Sequence, residues 1–195
     1  MGSVVSVFSA FGLSASAGLN AYLPLLIVAI AGKLNWIKLD KPFDALTSWW
    51  TIGVLIVLLI VEMVADKVPA VDTVNNLINT FIRPTAGAIL FAASANVITN
   101  VSPVISIILG LLVAGGVHAA KTVSRPVITA ATAGTANPIV SVLEDILAAV
   151  TSLLAVLLPW MVMLMAVTGI VVFLWWRLRR IERQNAARNS GVNSV

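Results

Sequence analysis

Long stretches of this chain carry no charge, and that limits its possible folds more than any motif does. Residues 1–32, 45–61, 84–120, 126–143 and 146–176 contain no Asp, Glu, Lys or Arg. A helix crosses the roughly 30 Å hydrocarbon layer of a bilayer with about 20 apolar residues. Each window is near that length or, for 84–120, close to twice it. Charged residues make up 10% of the 195 and hydrophobic residues 59%, with mean hydropathy +1.03. A soluble domain carries about 25% charged residues, so water is excluded as the solvent of this fold. The lipid bilayer is the expected partner.

The runs are continuous, as from Ile52 to Val61. A membrane strand would alternate over about 10 residues instead, so the expected class is an all-α integral membrane protein. Thr99-Asn100-Val101-Ser102-Pro103 places turn chemistry in the middle of the longest window. Six spans follow, at 4–31, 48–66, 84–99, 103–120, 126–149 and 153–176. The first and fifth are interrupted, by Gly18-Leu19-Asn20 with Pro24 and by Gly134-Thr135-Ala136-Asn137-Pro138. Residues 1–176 form the transmembrane domain, and 177–195 form a basic, disordered tail.

Six spans with both termini inside place Lys67, Arg83, Lys121, Arg125 and five C-terminal arginines in the cytoplasm. Lys33, Lys38 and Lys41 lie outside. That bias obeys the positive-inside rule. It also explains the net charge of +4 without nucleic acid, because the arginines from Arg177 onward sit where anionic headgroups would be. Residues 70–82 alternate Val71, Val74, Leu77, Ile78 and Phe81 with Asp72, Asn75, Asn76 and Asn79 at helical spacing. They are expected to form a short amphipathic helix lying in the headgroups.

Ser/Thr-Ala-Gly recurs at Ser16-Ala17-Gly18, Thr85-Ala86-Gly87 and Thr132-Ala133-Gly134, and Arg-Pro at Arg83-Pro84 and Arg125-Pro126. Together with a likeness between Glu62–Val68 and Gly116–Thr122, these echoes suggest duplicated two-helix units. Paired helix breaks in corresponding repeats point to the binding site of a transporter. Asn20 and Asn137 add an amide to each break. The stripes Ala10/Ser14/Gly18, Ala88/Ala92/Asn96 and Gly110/Ala114/His118 also suit simple close packing of helices.

Ionisable residues in a membrane mark function by default. Glu62 and Asp66 share one helix face near a span end, and His118 follows the Gly110/Ala114 stripe. These three join Asn20 and Asn137 as candidate residues for a substrate or ion. Lys67, Arg83, Lys121 and Arg125 stand at the same level as supporting basic residues. Glu144 and Asp145 end the fifth span and are expected to reach water on the outer side. No cysteine and a single histidine leave little for metal or thiol chemistry. No nucleophile triad, phosphate loop or dinucleotide motif is present. Neither an enzyme nor a bound cofactor or metal is expected.

At Gly12-Leu13-Ser14-Ala15-Ser16-Ala17-Gly18-Leu19-Asn20-Ala21-Tyr22-Leu23-Pro24 and Ala65-Asp66-Lys67-Val68-Pro69-Ala70-Val71-Asp72, the chain resembles a bacterial integral membrane family known as domain of unknown function 4126. The resemblance implies a small multi-pass protein of the bacterial inner membrane and carries over no substrate and no residue role. The leading expectation is a transporter or channel for a small solute or ion. The alternatives are a non-transporting scaffold or accessory subunit, and a lipid-interacting protein. One six-helix chain has few helices with which to enclose a pathway, which favours a homo-oligomer.

Overall fold

A computed structural model describes residues 2–65, 69–95 and 102–192, and these residues are helical apart from turns and a few linkers. Seven α-helices follow one another: α1 Gly2–Leu19, α2 Tyr22–Lys33, α3 Trp49–Ala65, α4 Pro69–Ala95, α5 Pro103–Thr132, α6 Asn137–Leu157 and α7 Pro159–Val192. A single 3-10 turn, Phe43–Thr47, lies in the linker before α3. Four segments are long and apolar enough to cross a bilayer: Leu77–Ser94, Pro103–Thr132, Asn137–Leu157 and Pro159–Glu182. The apolar parts of α1, α2 and α3 are shorter. The chain is thus an all-helical membrane protein.

Helix α1 is the hub. It packs against α4, α5, α6 and α7, while α2 leans on α3 and α6. The approach is close because the facing residues are small. A Cβ added at Gly18 would meet the Ala114 carbonyl oxygen at 2.5 Å, and one at Gly110 would meet the Gly87 carbonyl oxygen at 2.5 Å. Lipid offers no hydrophobic drive for helices to associate, so such backbone proximity is how membrane helices gain dispersion energy. Hydroxyls add bonds to backbone: Ser14 Oγ donates to the Gly87 carbonyl at 2.8 Å and Ser9 Oγ to that of Ala155 at 2.7 Å. Phe11 and Phe91 meet edge to face with ring centroids 5.1 Å apart.

Three sequence expectations change here. Residues 70–82 are not a separate interfacial helix but belong to α4, which continues through Pro84. Its amphipathic pattern is turned inside out: Leu77 and Phe81 are exposed while Asn79 is buried. In lipid, an amphipathic helix hides its polar face against other helices. Second, α5 runs unbroken past Lys121 and Arg125, which sit on its inner face rather than in a loop. The spacing of His118, Lys121 and Arg125 continues the Ser106, Gly110, Ala114 stripe at helical period. The helix stops only at Ala133 and Gly134, whose φ values of 48° and 80° take the left-handed form. The segment 126–149 is therefore the end of α5 and the start of α6, not one interrupted helix. Arg83, Lys121 and Arg125 accordingly lie within helices and not in the loops where a charge bias is counted. Third, helix continues from the last span to Val192 in place of a disordered tail. The Arg, Glu, Gln and Ala residues there are good helix formers, and no Gly or Pro intervenes between Trp176 and Ser190.

Helix α7 stands at the edge, exposed from Met163 to Glu182. Near its apolar end Arg179 stacks on Trp175 and Arg180 on Trp176, at 3.9 and 5.3 Å from the ring centroids. Aromatic and basic residues so paired suit the headgroup boundary.

Candidate functional site: a buried charged layer at a helix break

Each central helix changes character along its length. On α5 the inner face reads Ser106, Gly110, Ala114 and then His118, Lys121, Arg125. On α6 it reads Ser141, Glu144, Asp145 and then Ala148, Ser152, Ala155. On α4, Asn79 and Arg83 precede Ala86, Gly87 and Leu90. Helix α1 runs from Ala10 and Ser14 to the break at Asn20. The polar stretches coincide because they fall at the C-terminal ends of α1 and α5 and the N-terminal parts of α4 and α6. One end of the bundle is small and close-packed; the other is charged.

The break is built around Asn20. Its Oδ1 accepts from the backbone N–H groups of Tyr22 at 3.2 Å and Leu23 at 3.0 Å, capping α2. Pro24 follows with no N–H to satisfy. Asn20 Nδ2 donates to Asp145 Oδ1 at 2.9 Å. On the other side of the break, Lys121 Nζ donates to the Leu19 carbonyl at 3.1 Å. A discontinuous helix frees backbone groups that lipid cannot satisfy. Here one amide and one ammonium take them up, and both belong to the charged layer.

Around the break lie two linked clusters. In the first, Arg83 Nη2 donates to Glu62 Oε1 at 3.0 Å with both side chains essentially inaccessible, 0% and 1% exposed. His118 bridges Arg83 and Thr80, with Nδ1 3.3 Å from Arg83 Nη1 and Nε2 3.2 Å from Thr80 Oγ1. In the second, Glu144 Oε2 receives both Lys121 Nζ at 2.9 Å and Arg125 Nη2 at 2.6 Å. His118 and Lys121 are one turn apart on α5, so that helix joins the clusters. Among the described residues, three buried cations (Arg83, Lys121, Arg125) face three buried carboxylates (Glu62, Glu144, Asp145). Asn79 Nδ2 and Ser141 Oγ, both buried, find no hydrogen-bond partner in the described structure.

Asn20, Glu62 and His118 of the candidate residues therefore belong to this layer, with Arg83, Lys121 and Arg125. Asn137 does not: at the α5–α6 turn its amide exchanges contacts with Thr129 Oγ1 at 3.0 and 3.1 Å. Asp66 and Lys67 fall outside the described residues. The sequence reading missed Glu144 and Asp145, which do not reach water but are 9% and 6% exposed. A signal existed. Ser141, Glu144, Asp145, Ala148, Ser152 and Ala155 mark every turn of α6 with a small or polar residue among Leu, Ile and Val. That is an inward face, not a span end.

Such a layer is poor at stabilising a fold. Desolvation of buried ions commonly outweighs their attraction, and hydrophobic replacements are often as stable or more so. The layer can hold charge apart from lipid, pass a proton or exchange pairing partners.

A sequence model of the family described as "Domain of unknown function (DUF4126)" matches residues 7–180. No curated protein and no solved structure matches the chain.

Proposed function

The chain belongs to the DUF4126 family, whose description names no activity, and from the geometry we propose that it is a transporter or channel for a small solute or ion. The observation that carries this reading is the α1–α2 break, whose freed groups are held by Asn20 and Lys121 inside the charged layer. Discontinuous helices at membrane depth are characteristic of transporter binding sites, where half-helix ends supply dipoles to the substrate. The C-terminal carbonyls of α1 and the N-terminal N–H groups of α2 present opposite partial charges there. We propose six crossings, with α1 and α2 taken as one broken crossing. We further propose the bacterial inner membrane as the location, a homo-oligomer as the working state, and no catalysis.

The test is flux across proteoliposomes under ion gradients, for wild type and for Asn20→Ala, Glu62→Gln and Asp145→Asn. Flux in wild type and its loss in variants that still insert and keep their helicity is the expected result. No flux of any ion in wild type, or wild-type flux in all three variants, overturns the reading.

A further inference from the structure

The charged layer holds the chain's single histidine, and its neighbours define where its proton sits. A guanidinium has donors and no acceptor. Arg83 Nη1, 3.3 Å from His118 Nδ1, must therefore donate to a bare nitrogen. The ring's proton is on Nε2, from which it is donated to Thr80 Oγ1. With His118 neutral, the three cations and three carboxylates that the layer holds among the described residues balance. Each group in contact with His118 thus favours one protonation state, and a second ring proton would disrupt both the bond to Arg83 and the charge balance.

We propose, resting on the transport reading above, that the proton is the coupled ion and that His118 Nδ1 is where it binds, with the Arg83 contact as the switch it throws. The step transfers one proton from water to the Nδ1 lone pair, giving an imidazolium with both nitrogens protonated. Arg83 Nη1 then loses His118 Nδ1 as an acceptor and faces a like charge at contact distance. Glu62 Oε1 on α3 retains Arg83 through Nη2. The layer gains one unbalanced positive charge in a site sheltered from water, which is costly in place. Relief requires Arg83 to leave the ring, and with it α4 to shift against α5. Loss of the proton from Nδ1 restores the original pairing.

The groups facing His118 agree with this assignment. On α4 they are Thr80 and Arg83, and on its own helix Lys121 lies one turn on. Helix α1 contributes no charge, only the Leu19 carbonyl that holds Lys121. Helix α6 contributes Glu144, engaged by Lys121 and Arg125, and Asp145, engaged by Asn20. Tyr22 of α2 stands within electrostatic range of Glu62 and Arg83. Among the described residues, a positive charge added at His118 thus meets Arg83 and Lys121 before any carboxylate.

One histidine gives one imidazole to observe. Protein isotope-labelled only at histidine nitrogen, in lipid nanodiscs, is expected to show the Nε2–H form at about pH 8 and a doubly protonated ring on acidification. In the cysteine-free chain, Ser141→Cys places a thiol in the buried layer. Its labelling by a water-soluble maleimide, taken at each pH relative to a small free thiol because the thiolate is the reacting form, should rise roughly tenfold between about pH 8 and about pH 4. The same change should be absent in His118→Gln, whose amide can accept and donate but not charge. If the thiol variant does not fold, hydrogen exchange along 77–94 serves as the conformational reading. An Nδ1–H ring at the higher pH, a ring that never takes a second proton, or an equal response in His118→Gln overturns the switch. The correct tautomer and pH response without flux of any ion overturns the transport reading alone.

Discussion

The two ends of the helix bundle obey different rules. At the small-residue end, Gly87, Gly110 and Ala114 bring backbones into direct contact, and serine hydroxyls find carbonyls on neighbouring helices. Every feature there gains energy from proximity. At the charged end α3, α4, α5 and α6 bury six ions and a histidine among the described residues, which cost several kcal/mol each to desolvate before pairing returns part of it. The helices continue from one end to the other, so the first can hold the second in place. The contrast separates what holds this protein together from what it is held together for.

The largest effect should come from removing one member of a buried ion pair. Arg83→Met takes from Glu62 the guanidinium paired with it and should cost about 3–5 kcal/mol, read as a lowered unfolding midpoint in detergent. Glu62→Leu combined with Arg83→Met should recover more than half of that loss while abolishing activity. A double variant as unstable as the single one would show the pair to be structural, and the contrast between the ends would collapse. Next comes overpacking at the small end. A side chain at Gly110 meets the Gly87 carbonyl and the Ala88 backbone, which cannot turn aside, so Gly110→Val should cost at least about 1–3 kcal/mol. Gly53 on α3 has nothing within 4 Å of an added Cβ. Gly53→Val should stay within about 0.5 kcal/mol in the same assay.

Much of the fold is legible in the charge-free windows, because lipid enforces them: α3 and the apolar part of α7 fall close to runs of uncharged sequence. The misplaced polar residues share one cause. In water an amphipathic helix turns its polar face outward, and a charge near a span end is read as a loop. Here Asn79, Lys121, Arg125, Glu144 and Asp145 all look inward, because the exterior is the apolar phase. The site was partly visible for the same reason: Asn20 and Glu62 stood out against apolar neighbours. The pairing of Glu62 with Arg83, and of Asp145 with Asn20 at a sequence distance of 125, depends on which helices meet. No local spacing encodes that. The Ser/Thr-Ala-Gly echo also divides by context. Gly18 and Gly87 are tight helix contacts, whereas Ala133 and Gly134 form the left-handed end of α5.

The smallest predicted effects distinguish the two asparagines, which have equal standing in the sequence. Asn20 caps α2 and holds Asp145, so Asn20→Ala removes a helix cap and a bond to a charged group, costing about 1–2 kcal/mol. Its effect on flux should be out of proportion to that figure, since Asp145 loses the Asn20 amide inside the layer. Asn137 meets only Thr129 at a partly exposed turn. Asn137→Ala should cost under about 1 kcal/mol and leave flux unchanged. Measured side by side for unfolding midpoint and flux, the pair tests whether a polar helix break matters through the break or through what it faces. Equal loss of flux in both would move the site toward the α5–α6 turn. Loss in Asn20→Ala alone would place function at the charged end, where backbone and side chains share one network.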